Sequence, residues 1–376
     1  MKPTLLALSL SACLASTAAM AQTDEERIRN LEDQVAQLTD LVNNMPPPPA
    51  ASKVHLGGYG ELNYKNLDDN GMDDIEIDLR RFVIFFGYDF NERMRFESEF
   101  EVEHVVAGVG ARGAVEIEQA YLEFDLDSNK LLRTGVILMP IGIVNETHEP
   151  STYYGVERPI VEQTVIPTTW WSGGAEFSQY LDNGISYGLM ISEGLQTDDP
   201  GTDPNADPFN IKAGKQKTSF ASANDLALTG RIKYTGLAGM ELAMYAQYQP
   251  DLDQSAATSY VDSAVFLGGH AIYRFAGFKL TGLYAQWNLA GDAAKAAGKD
   301  KQFGGYAELS YRFMDSLGVF VRHSQWSLEK DVDQQQTVAG VNYWPDEDIV
   351  FKFDIQDQNE AAGNADGFHL GMGYQF

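Results

Sequence analysis

Phe368-His369-Leu370-Gly371-Met372-Gly373-Tyr374-Gln375-Phe376 alternates without a break. Phe368, Leu370, Met372, Tyr374 and Phe376 fall on one face; His369, Gly371, Gly373 and Gln375 fall on the other. Period-two alternation is the signature of a strand with one apolar and one polar side. In a water-soluble fold such a segment would pack on a core and its last residues would fray. An alternating strand that closes on an aromatic residue instead resembles the closing strand of bacterial outer-membrane β-barrels. Membrane, barrel and export route then become separate questions for the rest of the chain.

Working outward, short alternating segments recur from Lys53 onward. Seven tight connections are expected at Asn91-Glu92, Asp127–Asn129, Asp182–Gly184, Thr235–Gly239, Ala276-Gly277, Asp315-Ser316 and Pro345–Glu347. Between them lie eight longer or more polar connections, near 65–74, 105–113, 140–172, 193–223, 250–261, 289–300, 330–335 and 358–366. Strict alternation of tight and long connections gives sixteen strands, with short periplasmic turns and longer outer loops. No run of eighteen apolar residues follows Lys53, so a transmembrane helix is not expected. The expected fold is all-β: a 16-stranded antiparallel transmembrane β-barrel over 53–376.

Composition agrees with this reading. Tyrosine and phenylalanine are abundant, at 18 and 20, and many fall near strand ends, as aromatic girdles require. The formal charge of −27 argues against a nucleic-acid partner. Much of the acidic excess lies in outer loops, at positions such as Asp68, Asp73, Asp198, Asp203, Asp251 and Asp331. There it keeps the loops solvated, or meets lipopolysaccharide through divalent cations. The Asp/Pro run 198–208 lacks the glycine and glutamate of a calcium loop.

The front of the chain reads as export machinery. Residues 1–21 carry Lys2, an apolar stretch and Ala19-Met20-Ala21, which is a signal peptide expected to be cleaved before Gln22. The alternative lipoprotein box, Leu10-Ser11-Ala12-Cys13, would leave an unusually short signal. Cys13 is the single cysteine, so disulfides contribute nothing to the mature chain. Over 22–45, Ile28, Leu31, Val35, Leu38 and Val42 take a and d spacing, which predicts a short helical coiled coil. Arg27 and Glu32 take positions that resemble those of trimer-favouring coils. Residues 46–52, with Pro46 to Pro49, are a stiff extended linker.

A sixteen-stranded barrel leaves an aqueous channel, so what narrows it decides what passes. The connection 140–172 stands out, running from Pro140-Ile141-Gly142 through Asn145-Glu146-Thr147-His148-Glu149 and Glu157-Arg158-Pro159 to Trp170. With Ile141, Ile143, Val144, Val156, Ile160, Val161, Val165 and Ile166, it is too apolar to stand in water and must be buried. Here the chain resembles the phosphate-selective porin O and P family. The motifs are Arg80-Arg81 on the second strand, Gly135, Pro140-x-Gly142, Asn145-Glu146-x-His148 and Glu157-Arg158-Pro159, within a resemblance covering 53–376. It implies a homotrimeric outer-membrane porin whose third loop folds inward as the constriction. The family is functionally wider than its name, so phosphate selectivity does not follow.

Phasing from the closing strand turns Arg93, Arg95, Glu97, Glu99, Glu101 and Glu103 toward water on the third strand, opposite Phe96, Phe100 and Val102. The same phasing turns inward Arg133, Arg231, Lys233, His270, Arg274, Glu308, Arg312, Arg322, Lys352 and Asp354. Adjacent residues cannot share a face, so one of Arg80 and Arg81, taken as Arg81, is expected inside. The inward loop adds Glu146, His148, Glu149, Glu157, Arg158 and Glu162. Opposed rows of charge would orient solutes, and an arginine row would stabilise phosphate or carboxylate oxygens through several weak sites.

The expected function is passive diffusion of small anionic hydrophilic solutes, with no cofactor or metal. A general or cation-leaning diffusion porin is the alternative. A barrel-embedded hydrolase needs a Ser–His–acid set at one depth. The six histidines, His55, His104, His148, His270, His323 and His369, are scattered singly, and no G-x-S-x-G occurs.

Overall fold

The computed structural model describes residues 29, 32–35, 52–69, 71–197, 207–255, 259–360 and 363–376. It divides into Met1–Ser52 and Lys53–Phe376. In the first unit Arg29 and Glu32–Val35 are helical. The signal segment, the remainder of the heptad stretch and the proline linker lie outside the described residues, as does most of the 198–208 run.

Sixteen antiparallel strands close the second unit into a barrel, each pairing with its sequence neighbours and β1 with β16. They are β1 (Val54–Asp69), β2 (Met72–Asn91), β3 (Met94–Glu103), β4 (Val115–Asp127), β5 (Lys130–Leu138), β6 (Trp171–Tyr180), β7 (Ile185–Ser192) and β8 (Ala227–Tyr234). The circuit continues through β9 (Met240–Gln249), β10 (Ser263–Phe275), β11 (Phe278–Ala290), β12 (Lys301–Met314), β13 (Leu317–Glu329), β14 (Val332–Asp346), β15 (Ile349–Glu360) and β16 (Gly363–Gln375). Two short helices interrupt connections, α1 (Val161–Thr164) and α2 (Asp292–Ala296). Closure reaches the last residue: Gly58 and Phe376 exchange both backbone hydrogen bonds, 3.1 and 3.0 Å. A closed ladder leaves no unpaired edge.

The strand phase follows the alternation. Leu189, Ile232, Met244, Leu267, Leu280, Phe353 and Leu370 are exposed, while intervening polar residues such as Glu99, Glu176, Arg322, Asp354 and His369 are buried. This is the reverse of a water-soluble protein, and it is what a lipid-facing wall requires. At the end bearing the short turns, Tyr273, Phe275, Phe278 and Tyr311 stack in series, part of an aromatic girdle.

Three of the connections expected to be long are tight. β1 and β2 are separated by two residues, as are β13 and β14, and β15 and β16. Here the strands themselves carry the polar residues outward: β1 has 16 residues and β2 has 20, against about 10 needed to cross a bilayer. The Asp68 carboxylate accepts the Gly71 amide, and Gly71 takes φ 79° to turn the chain.

The apolar 139–170 segment is buried as expected. Val161, Val165, Ile166 and Trp170 pack in one cluster with Tyr245, Phe266, Trp287, Tyr306 and Trp326 of β9–β13. Trp287 donates its indole N–H to the Val165 carbonyl at 3.0 Å. Glu162, fully buried, accepts the amides of Ile143 and Val144 and the Tyr306 hydroxyl. Toward the other strands polar contacts join apolar ones such as the Tyr154 ring against Phe320 and Trp344.

Candidate functional site

The polar side of the 139–170 segment meets the wall residue by residue. Lys352 on β15 donates to the carbonyls of Tyr153 (3.1 Å) and Gly155 (2.7 Å). Asp354, two residues along the same face, accepts the Val156 amide at 2.6 Å and is bonded to His369 of β16 at 2.8 Å. Arg322 on β13 contacts the carbonyls of Tyr154 and Glu157 and pairs with Glu308 at 3.3 Å. Arg231 on β8 pairs with Glu146, and His148 lies between Glu99 and Glu118.

Two cavities flank this segment. One, of ≈ 230 Å³, is lined by Lys65, Arg80, Glu157, Arg158, Gln163, Arg322, Gln336, Asp354, Gln358 and His369. The other, of ≈ 210 Å³, holds Arg80, Arg81, Arg158, Lys212, Lys215 and Lys217 against Glu103, Glu116, Glu118 and Glu157. Arg80, Glu157, Arg158 and Gln163 line both, so the same four side chains border the two cavities.

Pairing within the second cavity is uneven. Arg81 is held by Glu61 (3.3 Å) and Glu101 (3.7 Å), and Lys217 by Glu116. Arg158 instead donates to the Thr169 hydroxyl and the His148 carbonyl, and Lys215 to the Thr169 carbonyl at 2.7 Å. These are neutral acceptors; the carboxylates that balance these cations, Glu116 and Glu118 among them, stand elsewhere in the cavity. Burial, together with the charges of Lys217 and Lys212, holds the Lys215 ammonium down to about 8. Lys212 is lowered as well, by burial and by Arg80. Trp171 lies under both Lys215 and Lys217, 5.7 and 5.3 Å from its ring, a favourable seat for cations.

Of the residues expected at the site, Arg81, Glu157, Arg158 and Arg322 line these cavities. Glu146, His148 and Lys352 fasten the segment to the wall, and the Glu149 carbonyl accepts the Thr152 amide. Arg95 and Arg133 share Glu123 (2.5 and 2.6 Å), Arg95 adding a bidentate contact to Asp125 and Arg133 a contact to Glu176. They brace the wall. Arg93 is tied to the carbonyls of Asp125 and Leu126 at the β4–β5 turn, and Lys233 pairs with Glu241. Arg274 is exposed near the β10–β11 turn, and Arg312 lies 4.5 Å over Trp344 beside the β12–β13 turn. None of these last four lines either cavity.

One expectation is corrected. Arg80 and Arg81 both line the second cavity, although they are adjacent. Glu61 pairs with Arg81 and Leu62 with Leu79, so Arg80 is the extra residue of a β-bulge. A bulge re-aims side chains and suspends the alternation rule at that point. The residues not anticipated are Arg80, Lys65 and the loop lysines. Lys212-x-x-Lys215-x-Lys217 was visible as three lysines in six residues of an acidic chain.

Comparison with known proteins places these features. The sequence model of the family described as phosphate-selective porin O and P matches residues 54–376. An uncharacterized protein of Aquifex aeolicus (strain VF5) is 41% identical over 194 residues, which are 50% of this chain and 43% of that relative's length. Among solved structures, the anion-selective porin from Comamonas acidovorans superposes with a TM-score of 0.62 at 12% identity, covering 86% of this chain and 99% of that one. The trimer form of OmpT, an outer membrane protein of Vibrio cholerae, gives 0.54 at 9% identity, covering 86% and 99%. At these identities the structural likeness speaks for the fold.

Proposed function

The chain belongs to the phosphate-selective porin O and P family, and from that premise we propose that it is a bacterial outer-membrane channel for small anionic hydrophilic solutes, phosphate or small carboxylates. In this reading the 139–170 segment folds inward and narrows the water-filled barrel. Its apolar side is held by Trp287, Tyr306 and Trp326, and its charged side borders the path.

The observation that carries the anionic preference is that Arg158 and Lys215, whose hydrogen bonds go to neutral acceptors, share the second cavity with Lys212 and Lys217. A carboxylate or phosphate oxygen is the natural partner for such groups. A solute entering past Lys212, Lys215 and Lys217 would be handed to Arg80 and Arg158, and then toward Arg322 and Lys65. Several weak sites in series attract without trapping. Glu103, Glu116 and Glu157 facing the same path create a transverse field that orients dipolar solutes. The acidic whole-chain charge favours a second reading, a general or cation-leaning pore. Reversal potentials in a KCl gradient separate the two: chloride preference supports the first, and potassium preference sinks it.

A homotrimer is part of the proposal, supported by the heptad stretch in 22–45 and by the trimer form of the Vibrio cholerae structure. Export by a cleaved 1–21 signal, with lipid and lipopolysaccharide as the surroundings of the wall, completes it. N-terminal sequencing of protein from outer membranes should begin at Gln22; a lipidated Cys13 would refute the cleavage site.

A further inference from the structure

Glu99, Glu118 and His148 are buried to within 2% of full enclosure. His148 Nε2 lies 3.0 Å from Glu99 Oε1 and 3.3 Å from Glu118 Oε2, and the three ligand atoms fall within 4.8 Å of one another. Bonds of about 2.0–2.2 Å from one metal ion place neighbouring ligand atoms about 3 Å apart. The supporting shell has the matching form. His148 Nδ1 sits 3.1 Å from the Asn145 carbonyl oxygen and donates there, which fixes Nε2 as the nitrogen that faces the carboxylates. Gln119 Nε2 donates to Glu99 Oε2 at 2.7 Å and fixes that carboxylate.

A β-bulge builds the cluster. Glu99 pairs with Gln119 and Phe100 with Ile117, so Glu118 stands outside the ladder. Glu118 Oε2 is buried and is met by His148 Nε2 only through the 3.3 Å ion-pair contact. The hydroxyl of Tyr59, whose ring meets the His148 ring edge-on with centroids 6.0 Å apart, is buried with no hydrogen-bond partner among the described residues.

We propose that Glu99, Glu118 and His148 bind one divalent transition-metal ion of the zinc class. One imidazole with two carboxylates favours such an ion over calcium or magnesium, which prefer all-oxygen sites. Glu118 lines the ≈ 210 Å³ cavity, which gives the ion its entry path. The bound ion fastens the 139–170 segment to β3 and β4. This site stands apart from the transport reading, and either can fail alone.

The test uses the full-length protein, stripped with chelator and titrated with Co²⁺ alone. One cobalt per protomer is expected, with a visible d–d band displaced by equimolar Zn²⁺ and not by equimolar Ca²⁺. The band should be lost in E118Q and H148Q, with heat-modifiable gel migration reporting that each barrel is folded. Zn²⁺-loaded wild-type protein should show one imidazole shell in X-ray absorption, a readout that needs no variant. No stoichiometric band, displacement by Ca²⁺, an all-oxygen shell, or an unchanged band in folded H148Q would each overturn the proposal.

Discussion

Replacing Lys212 and Lys215 together with Gln should reverse or abolish anion preference. A solute in contact with the charged lining of the ≈ 210 Å³ second cavity lies about 4 Å from an ammonium group. At that distance two unit charges interact by ~1 kcal/mol in bulk water and by ~4 kcal/mol at an effective dielectric constant of 20. Taking the aqueous limit for a wet channel, the two ammonium groups contribute ~2 kcal/mol, or roughly thirty-fold in anion occupancy. Cations are affected in the opposite direction, so the occupancy ratio moves further. The assay is the reversal potential in planar bilayers under a KCl gradient, with K130Q at the start of β5 as a single-charge control outside the cavity. The K212Q/K215Q channel should shift strongly toward potassium while K130Q stays at the wild-type value. Equal potentials for the wild type and the double variant would refute the assignment of these lysines to the conducting path.

Raising the pH from 7 to 9 should lower chloride selectivity with a midpoint near 8, because the Lys215 ammonium is held down to about 8; K215Q should lack that step. The linkage has the matching sign: the unfolded lysine keeps its proton up to ~10.4, so the stability cost of burying this charge is present below about 8 and is relieved as pH rises toward 10. Gly142→Ala places a Cβ 2.7 Å from Glu162 Oε2 at φ 85°. It should lower the temperature at which the barrel loses heat-modifiable migration, costing about 1–3 kcal/mol; an unchanged transition would mean that Glu162 does not anchor the 139–170 segment. Lys352→Met strands the Tyr153 and Gly155 carbonyls and should give noisier single-channel current at normal barrel yield; quiet openings would count against Lys352 as a clasp. On the proposed homotrimer, deleting 22–45 should leave the oligomer intact on native gels; monomers would assign its assembly to the coil.

The sixteen strands and their phase were legible because alternation is a backbone property, and Phe368–Phe376 set its sign. The same phase found Glu99, Glu101, Arg322, Asp354 and His369 on the buried face. It could not find height along the barrel axis. Arg93, Arg274 and Arg312 therefore share the face of Arg322 yet end beside turns, where Arg93 and Arg312 bond turn carbonyls and Arg312 lies over Trp344. Bulges were also out of reach, because an extra residue is defined by cross-strand pairing: Arg80 joins Arg81, and Glu118 leaves the ladder, only through their partners in register. The three hairpins expected as loops were misjudged because polar residues were taken to end a strand, whereas paired strands run on beyond the bilayer in water. The loop lysines reach Trp171 and Thr169 through tertiary packing, which no local pattern encodes.

The central claim is that this barrel passes anions through the charged cavity beside the 139–170 segment. The most direct measurement is the reversal potential of the full-length wild-type protein in planar bilayers under a KCl gradient. Stepwise openings that reverse on the chloride side of zero are expected. Absence of current, or reversal on the potassium side, would contradict the account.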